Sequence, residues 1–140
     1  MTELHPQLAH DTITLGEYPL CTLLLMSDAN YPWFILVPKR DQVTEIFQLD
    51  EADQQQLMRE SSSLARSLMQ AFAGDKMNIG ALGNVVPQLH IHHIVRYRTD
   101  PAWPAPVWGK VAAMAYTREG IDGVIAKLKT VLAEGFEFAR

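Results

Sequence analysis

Cysteine is almost absent: Cys21 stands alone in a chain of 140 residues. It can close no internal disulfide and has no partner for a C-x-x-C metal or redox pair, so stability must come from a packed core, and the expected setting is a reducing one, the cytoplasm by default. An excess of positive charge is absent too. Twelve Lys and Arg face sixteen Asp and Glu, a formal net charge of −4, and no cationic block of the kind that grips nucleic-acid backbone is present. A nucleotide-sized ligand needs a local site rather than a field and stays open. Long hydrophobic runs are missing as well: the longest, "CTLLLM" at 21–26, is far short of a bilayer span. The first fifteen residues are polar and interrupted by Pro6, which reads as neither signal peptide nor transmembrane helix. Repeats and low-complexity linkers are also lacking. At 48% hydrophobic and 20% charged, residues 1–140 are expected to form a single domain with a real core.

What is present alternates between strand-like and helix-like segments. "PLCTLLLMSD" and "YPWFILVPKR" read as two apolar strands of a hairpin turned by "DANYP". From Asp50, an N-cap ahead of an acidic first turn, Leu57, Leu64, Leu68 and Phe72 recur near the helical period, and Gly74 is expected to close that helix. "KMNIGAL" resumes strand character, "GNVVP" turns, and "QLHIHHIVRYR" is the next strand before the prolines of "TDPAWPAPVWG" break all regularity. A second amphipathic helix follows a Thr117 cap, with Ile121, Val124, Ile125, Leu128, Val131 and Leu132 at helical spacing. Met26, Phe34, Leu36, Met58 and Leu64 read as core or pocket wall.

Three of the five histidines fall at positions 90, 92 and 93. On a strand, side chains at i and i+2 share a face, so Gln88, His90 and His92 line one side while Leu89, Ile91 and His93 line the other. An amide and two imidazoles in a row do not make a packed apolar face. The plain reading is a half-exposed polar strand. A zinc or iron site would need one or two further ligands beyond His90 and His92, and neither a second cysteine nor an H-E-x-x-H helix supplies them, so metal is disfavoured. The remaining reading is nucleophilic: one neutral imidazole attacks phosphorus while its neighbour donates hydrogen bonds to the charge that develops.

The stretch "MNIGALGNVVPQLHIHHIVR" resembles the histidine triad (HIT) superfamily of nucleotide hydrolases and transferases. The family motif is His-φ-His-φ-His-φ-φ, φ being apolar, commonly preceded by an "NIG" strand, a small polar loop and a proline; here Asn78-Ile79-Gly80, Gly83-Asn84 and Pro87 stand in that order. The upstream "WFILVPKRDQVTEIFQLD" resembles the family's strand, its "VPK" element and the descent into the long helix, so the likeness runs over roughly residues 20 to 100. It implies an α+β, HIT-like fold: an antiparallel β-sheet with a long central helix and a C-terminal helix, in a homodimer.

Carried over by position, the resemblance implies that His90 is the nucleophile forming a nucleotidyl-histidine intermediate and that His92 contacts phosphate or leaving group. Gln88 takes the place of the first histidine; it keeps a hydrogen-bonding group but does not titrate near neutral pH. Asp28 is implied to accept from the ribose hydroxyls and Asn78 to contact the phosphate neighbourhood. The loop that in the family carries a Gln and a Ser or Thr is compressed to "GNVV", where Asn84 and the backbone of Gly83 either donate to an anion or form an ordinary turn. Arg96 and Arg98 either neutralise outer phosphates or are solvated surface, the latter being favoured. Trp103 and Trp108 read as capping the core or meeting a second subunit rather than stacking on a base, and His5 and His10 as exposed without a role. The expected activity is attack at the α-phosphate of a nucleotide of the dinucleoside polyphosphate or nucleoside phosphoramidate type. No cofactor and no metal ligands are expected, although a divalent cation accompanying the substrate is compatible with this chemistry. The alternative is a catalytically weak nucleotide-binding or signalling module.

Overall fold

The computed structural model describes residues 3–132 and 135–140. In chain order the elements are α1 (Pro6–Asp11), β1 (Thr12–Glu17), β2 (Cys21–Met26), β3 (Trp33–Pro38), a 3-10 turn at Ile46–Gln48, α2 (Glu51–Phe72), β4 (Lys76–Gly80), β5 (Ile91–Arg96), α3 (Arg118–Lys129) and β6 (Glu137–Phe138). The six strands form one sheet in the order β4-β5-β3-β2-β1-β6, antiparallel throughout. The expected hairpin is β2 against β3, with Leu23 opposite Leu36 and Leu24 opposite Ile35. Its strands are apolar at successive positions because both faces are covered. Leu23, Leu25, Phe34 and Leu36 pack under α2 and α3. On the other face Leu24, Ile35 and Val37 pack with Leu8 of α1 and with Ala102 and Val107 of the proline-rich segment.

The caps act where their residue types suggest. The Asp50 carboxylate accepts from the Asp53 amide at the head of α2, and the Thr117 hydroxyl accepts from the Gly120 amide at the head of α3. Leu57, Leu64 and Leu68 form the buried stripe of α2, and Val124 and Leu128 that of α3, which ends at Lys129 before Val131 and Leu132. Met58, expected in the core, is 66% exposed; it follows Leu57 directly, a 100° step round the helix that takes it off the stripe. The left-handed residue closing α2 is Ala73, at φ 48°, and not the expected Gly74. Gly74 is small for another reason, since a Cβ there would lie 2.3 Å from Cγ1 of Val95. Three elements carried no expectation: α1, capped by the His5 ring, which accepts from the Gln7 amide, and the strands β1 and β6. Among the described residues no helix is long and apolar enough to cross a membrane.

Two polar side chains interrupt the buried stripe of α2. The Glu60 carboxylate accepts from the backbone amides of Leu20 (2.8 Å) and Cys21 (2.9 Å), supplying acceptors where β2 begins. The Ser61 hydroxyl lies 2.7 Å from Nε2 of His93, whose Nδ1 faces the Ile91 carbonyl at 3.1 Å. The carbonyl can only accept, so Nδ1 carries the proton, and the neutral ring takes the Ser61 hydroxyl proton at Nε2. His93 is 0% exposed, and burial lowers its pKa from the ordinary 6.5 to about 4, against a small opposing effect of the Ile91 carbonyl.

Two outcomes follow. Between pH 6.5 and 4 the unfolded chain binds a proton at position 93 that the folded chain refuses, so stability falls as pH is lowered through that window, by up to about 1.4 kcal/mol per pH unit from this residue; thermal unfolding across pH should show the slope, and His93→Gln should reduce it without abolishing it, because buried His92 adds a like contribution. Gly74→Ala should destabilise by about 1–3 kcal/mol by overpacking against Val95, measured by chemical denaturation; a neutral effect would show that β5 yields there.

Candidate active site

β5 begins only at Ile91, so Gln88 and His90 sit just ahead of the strand and not on it as expected. The alternation survives this. His90 and His92 project to the same side with ring centroids 4.9 Å apart and planes at 67°, while His93 projects to the α2 side.

The hydrogen bonds of the two site histidines assign their protons. Nδ1 of His90 lies 2.7 Å from the Gln88 main-chain carbonyl. That oxygen can only accept, so in the neutral ring the proton is on Nδ1 and the lone pair on Nε2. Nδ1 of His92 receives the indole N–H of Trp33 at 2.9 Å. The indole can only donate, so His92 keeps its lone pair on Nδ1 and its proton on Nε2. Adjacent imidazoles are thus held in opposite tautomers, one with a free lone pair at Nε2 and one with a free N–H there. Burial, reinforced by His90 and His93, lowers the His92 pKa to about 3, so this ring is neutral across the physiological range.

The face is closed by aromatics. Trp108 packs edge-on against His92 (5.2 Å between centroids) and Trp33 (6.1 Å), and across the sheet His92 pairs with Gly80 of β4, which also faces the Trp108 ring. Trp108 therefore covers a histidine rather than only capping the core. Trp103 lies over the Arg96 guanidinium at 5.7 Å.

Gln88 is committed elsewhere. Its Oε1 accepts from the His5 amide (2.7 Å) and its Nε2 donates to the Glu3 carbonyl (3.0 Å), so the side chain fastens the N-terminal segment beside the site. This corrects the reading of His5 as exposed without a role: its backbone meets Gln88 and its ring caps α1. His10 is exposed and, among the described residues, its ring is bonded only to the neighbouring Asp11.

Arg96 is neither solvated nor free for phosphates. It is 1% exposed, forks onto Asp100 (2.8 and 3.0 Å), and gives further bonds to the Ala105 carbonyl and to Oδ1 of Asn78, each 2.8 Å. Burial would raise the Asp100 pKa, but hydrogen bonds from Arg96 and from the amides of Tyr97, Trp103 and Ala102 outweigh it and hold the carboxyl below its usual range. Because Arg96 can only donate, the Asn78 oxygen turns toward it and the Asn78 NH₂ points away. Asn78 pairs with Ile94, two positions from the Gly80–His92 pair, on the histidine face. Arg98 is exposed.

Asp28 is buried, and its Oδ1 accepts from the amide and side chain of Asn30 (2.9 and 2.8 Å) and from the Met114 amide (3.2 Å). Among the described residues Oδ2 accepts none. Asp28, Met26, Ser27 and Trp33 line a cavity of about 420 Å³, so Trp33 belongs both to this cavity and to the His92 contact. Gly83, at φ 78°, lines a small cleft with Thr44, Leu82 and His90, whereas Asn84 is exposed and is not part of its lining. Among the described residues no group of three His, Cys, Asp or Glu is placed to hold a metal ion.

Sequence reasoning missed Trp33, Arg96 and the fastening role of Gln88. The available signal for Trp33 was its place in an apolar run with a polar handle; the register that sets Ile35 opposite His92, and so Trp33 diagonal to it, cannot be read from one strand.

Residues 7–99 match the HIT domain. A histidine triad protein of Marinobacter aquaeolei VT8 is 55% identical, with 94% of this chain and 96% of that one covered at a TM-score of 0.91. One from Bradyrhizobium japonicum is 45% identical over 94% and 98% of the two chains, with a TM-score of 0.92. A Bartonella henselae Hit-like protein involved in cell-cycle regulation, at 13% identity and a TM-score of 0.63, over 86% and 87% of the two chains, shares the fold. Among curated proteins none matches. Two-thirds of the sequence and almost the whole tertiary structure thus agree with one family, and the chain belongs to the histidine triad (HIT) proteins.

Proposed function

We propose that the protein is a nucleotide hydrolase or nucleotidyl transferase acting at the α-phosphate of a nucleoside phosphate, with His90 as nucleophile. The observation that carries this reading is the opposed pair of tautomers. An imidazole whose Nδ1–H is engaged by the Gln88 carbonyl offers Nε2 as a lone pair without prior loss of a proton. Its neighbour, fixed with Nε2–H, offers a donor where charge gathers on a phosphate oxygen or leaving atom.

In the first step Nε2 of His90 bonds to the α-phosphorus and the bond from phosphorus to the leaving atom breaks, the leaving group departing with a proton drawn from water. In the second, the hydroxide left by that water attacks phosphorus and the phosphorus–nitrogen bond breaks, its electron pair returning to Nε2, which releases the nucleoside monophosphate and neutral His90. Oδ2 of Asp28, beside the 420 Å³ cavity, serves as an acceptor for ribose hydroxyls, and the Asn78 NH₂, turned outward by Arg96, as a donor to the phosphate. A histidine nucleophile needs no metal of its own.

One observation favours a second reading, a nucleotide-binding module of weak activity. Both ends of the Gln88 amide are taken up by the N-terminal segment, so the first motif position brings no titrating group to the leaving atom. Mixing wild type and His90→Ala with nucleoside phosphoramidates and dinucleoside polyphosphates, followed by intact-mass measurement after an alkaline quench, separates the two. A nucleotidyl adduct in wild type alone, with turnover lower by at least about a thousandfold in His90→Ala, supports the enzyme. Binding of nucleoside monophosphate without adduct or turnover supports the module. Gln88→Ala should release the N-terminal segment, seen as faster amide exchange at His5, and slow turnover about tenfold by loosening the carbonyl that holds His90; Gln88→His should not raise it above wild type.

A further inference from the structure

Trp33 opens β3 in a buried position, its indole N–H 2.9 Å from Nδ1 of His92 and its ring 5.7 Å from the imidazole. An indole N–H has no lone pair to offer, so the nitrogen it meets must have one. Protonation of His92 would set two N–H groups head to head and forfeit the bond. The other elements packed on the ring leave nothing to relieve that conflict: β4 contributes Gly80 and the proline-rich segment Trp108, neither of which titrates. Of the neighbouring titratable groups, His90 and His93 both disfavour a charge on His92. Further along the same face the Arg96 cation is already matched by Asp100.

We propose that Trp33 is a positioning residue for the histidine site: its indole N–H locks the ring that burial keeps neutral in the tautomer with the proton on Nε2, making His92 a fixed hydrogen-bond donor. The use of that donor on a phosphate rests on the function proposed above; the lock itself does not. The same indole walls the cavity lined by Asp28, so the residue that sets the His92 proton also touches whatever fills that cavity.

The test is long-range proton–nitrogen correlation NMR on protein carrying ¹⁵N-histidine, from pH 5.5 to 8, which reads each ring's protonation and tautomer whether or not the protein is an enzyme. In wild type His92 should show protonated Nε2 and bare Nδ1 across the whole range. A wild-type His92 that titrates within it, or carries its proton on Nδ1, overturns the proposal. Trp33→Phe, which keeps an aromatic wall but no donor, should bring a mixture of tautomers. Trp33→His, which keeps an N–H, should restore the Nε2–H form at least in part. A folded Trp33→Phe with an unchanged His92 signal would place the lock elsewhere and also overturn it. With a nucleoside 5′-phosphoramidate as substrate, Trp33→Phe should lower kcat about ten- to a hundredfold with little change in KM. Failure of His90→Ala to alter turnover would sink the proposed function while leaving the tautomer result to stand or fall by itself.

Discussion

The central strands of the sheet are covered on both faces, and β5, which carries His92, His93 and Arg96, is buried along its whole length, where a polar group without a partner is costly. Every imidazole on or beside that strand therefore has an assigned partner. His93 uses Ser61 and the Ile91 carbonyl, His92 uses Trp33, and His90 uses the Gln88 carbonyl. Because a carbonyl only accepts and an indole only donates, the partners decide which nitrogen holds each proton. The arrangement that satisfies burial is the same one that leaves a lone pair and an N–H side by side, so one set of bonds serves both packing and the chemistry proposed for the site.

Two irregular segments complete the site, and both are held by polar anchors rather than by regular secondary structure. The N-terminal segment is fastened by the Gln88 amide. The proline-rich segment is held at one end by the fork of Arg96 on Asp100 and at the other by Asp28, while Ala29 donates to the Met114 carbonyl beside it. A buried ion pair is weak evidence for net stability because desolvation offsets its attraction. Here its geometric consequence matters more: it seats the segment that lays Trp108 on His92 and turns the Asn78 amide.

Much of the fold was legible because it follows from local rules. The hairpin of apolar strands, the Asp50 and Thr117 caps and the helical stripes of Leu57, Leu64, Leu68, Val124 and Leu128 all appear as their periods suggest. The short α1, β1 and β6 were not legible; β6 has two residues, and α1 depends on one ring accepting from one amide. Met58 and Gly74 misled for opposite reasons: the first is apolar but rotated outward, the second small because of Val95 and not because of its dihedral angle. Of the site, the pairing of His90 with His92 and the exclusion of His93 came from the two-residue period. Arg96 did not, since a strand-end arginine looks solvated until Asp100 folds back upon it.

The sequence by itself determined which imidazoles share a face and where the main helices start, because those depend on neighbours within a few positions. Which nitrogen of each ring carries the proton, and whether Gln88, Asp28 and Arg96 act as anchors, was decided only by the tertiary structure. The partners concerned are distant in the chain, 59 residues between Trp33 and His92, 32 between Ser61 and His93 and 83 between His5 and Gln88, and a hydrogen bond acts only where packing brings its two ends together.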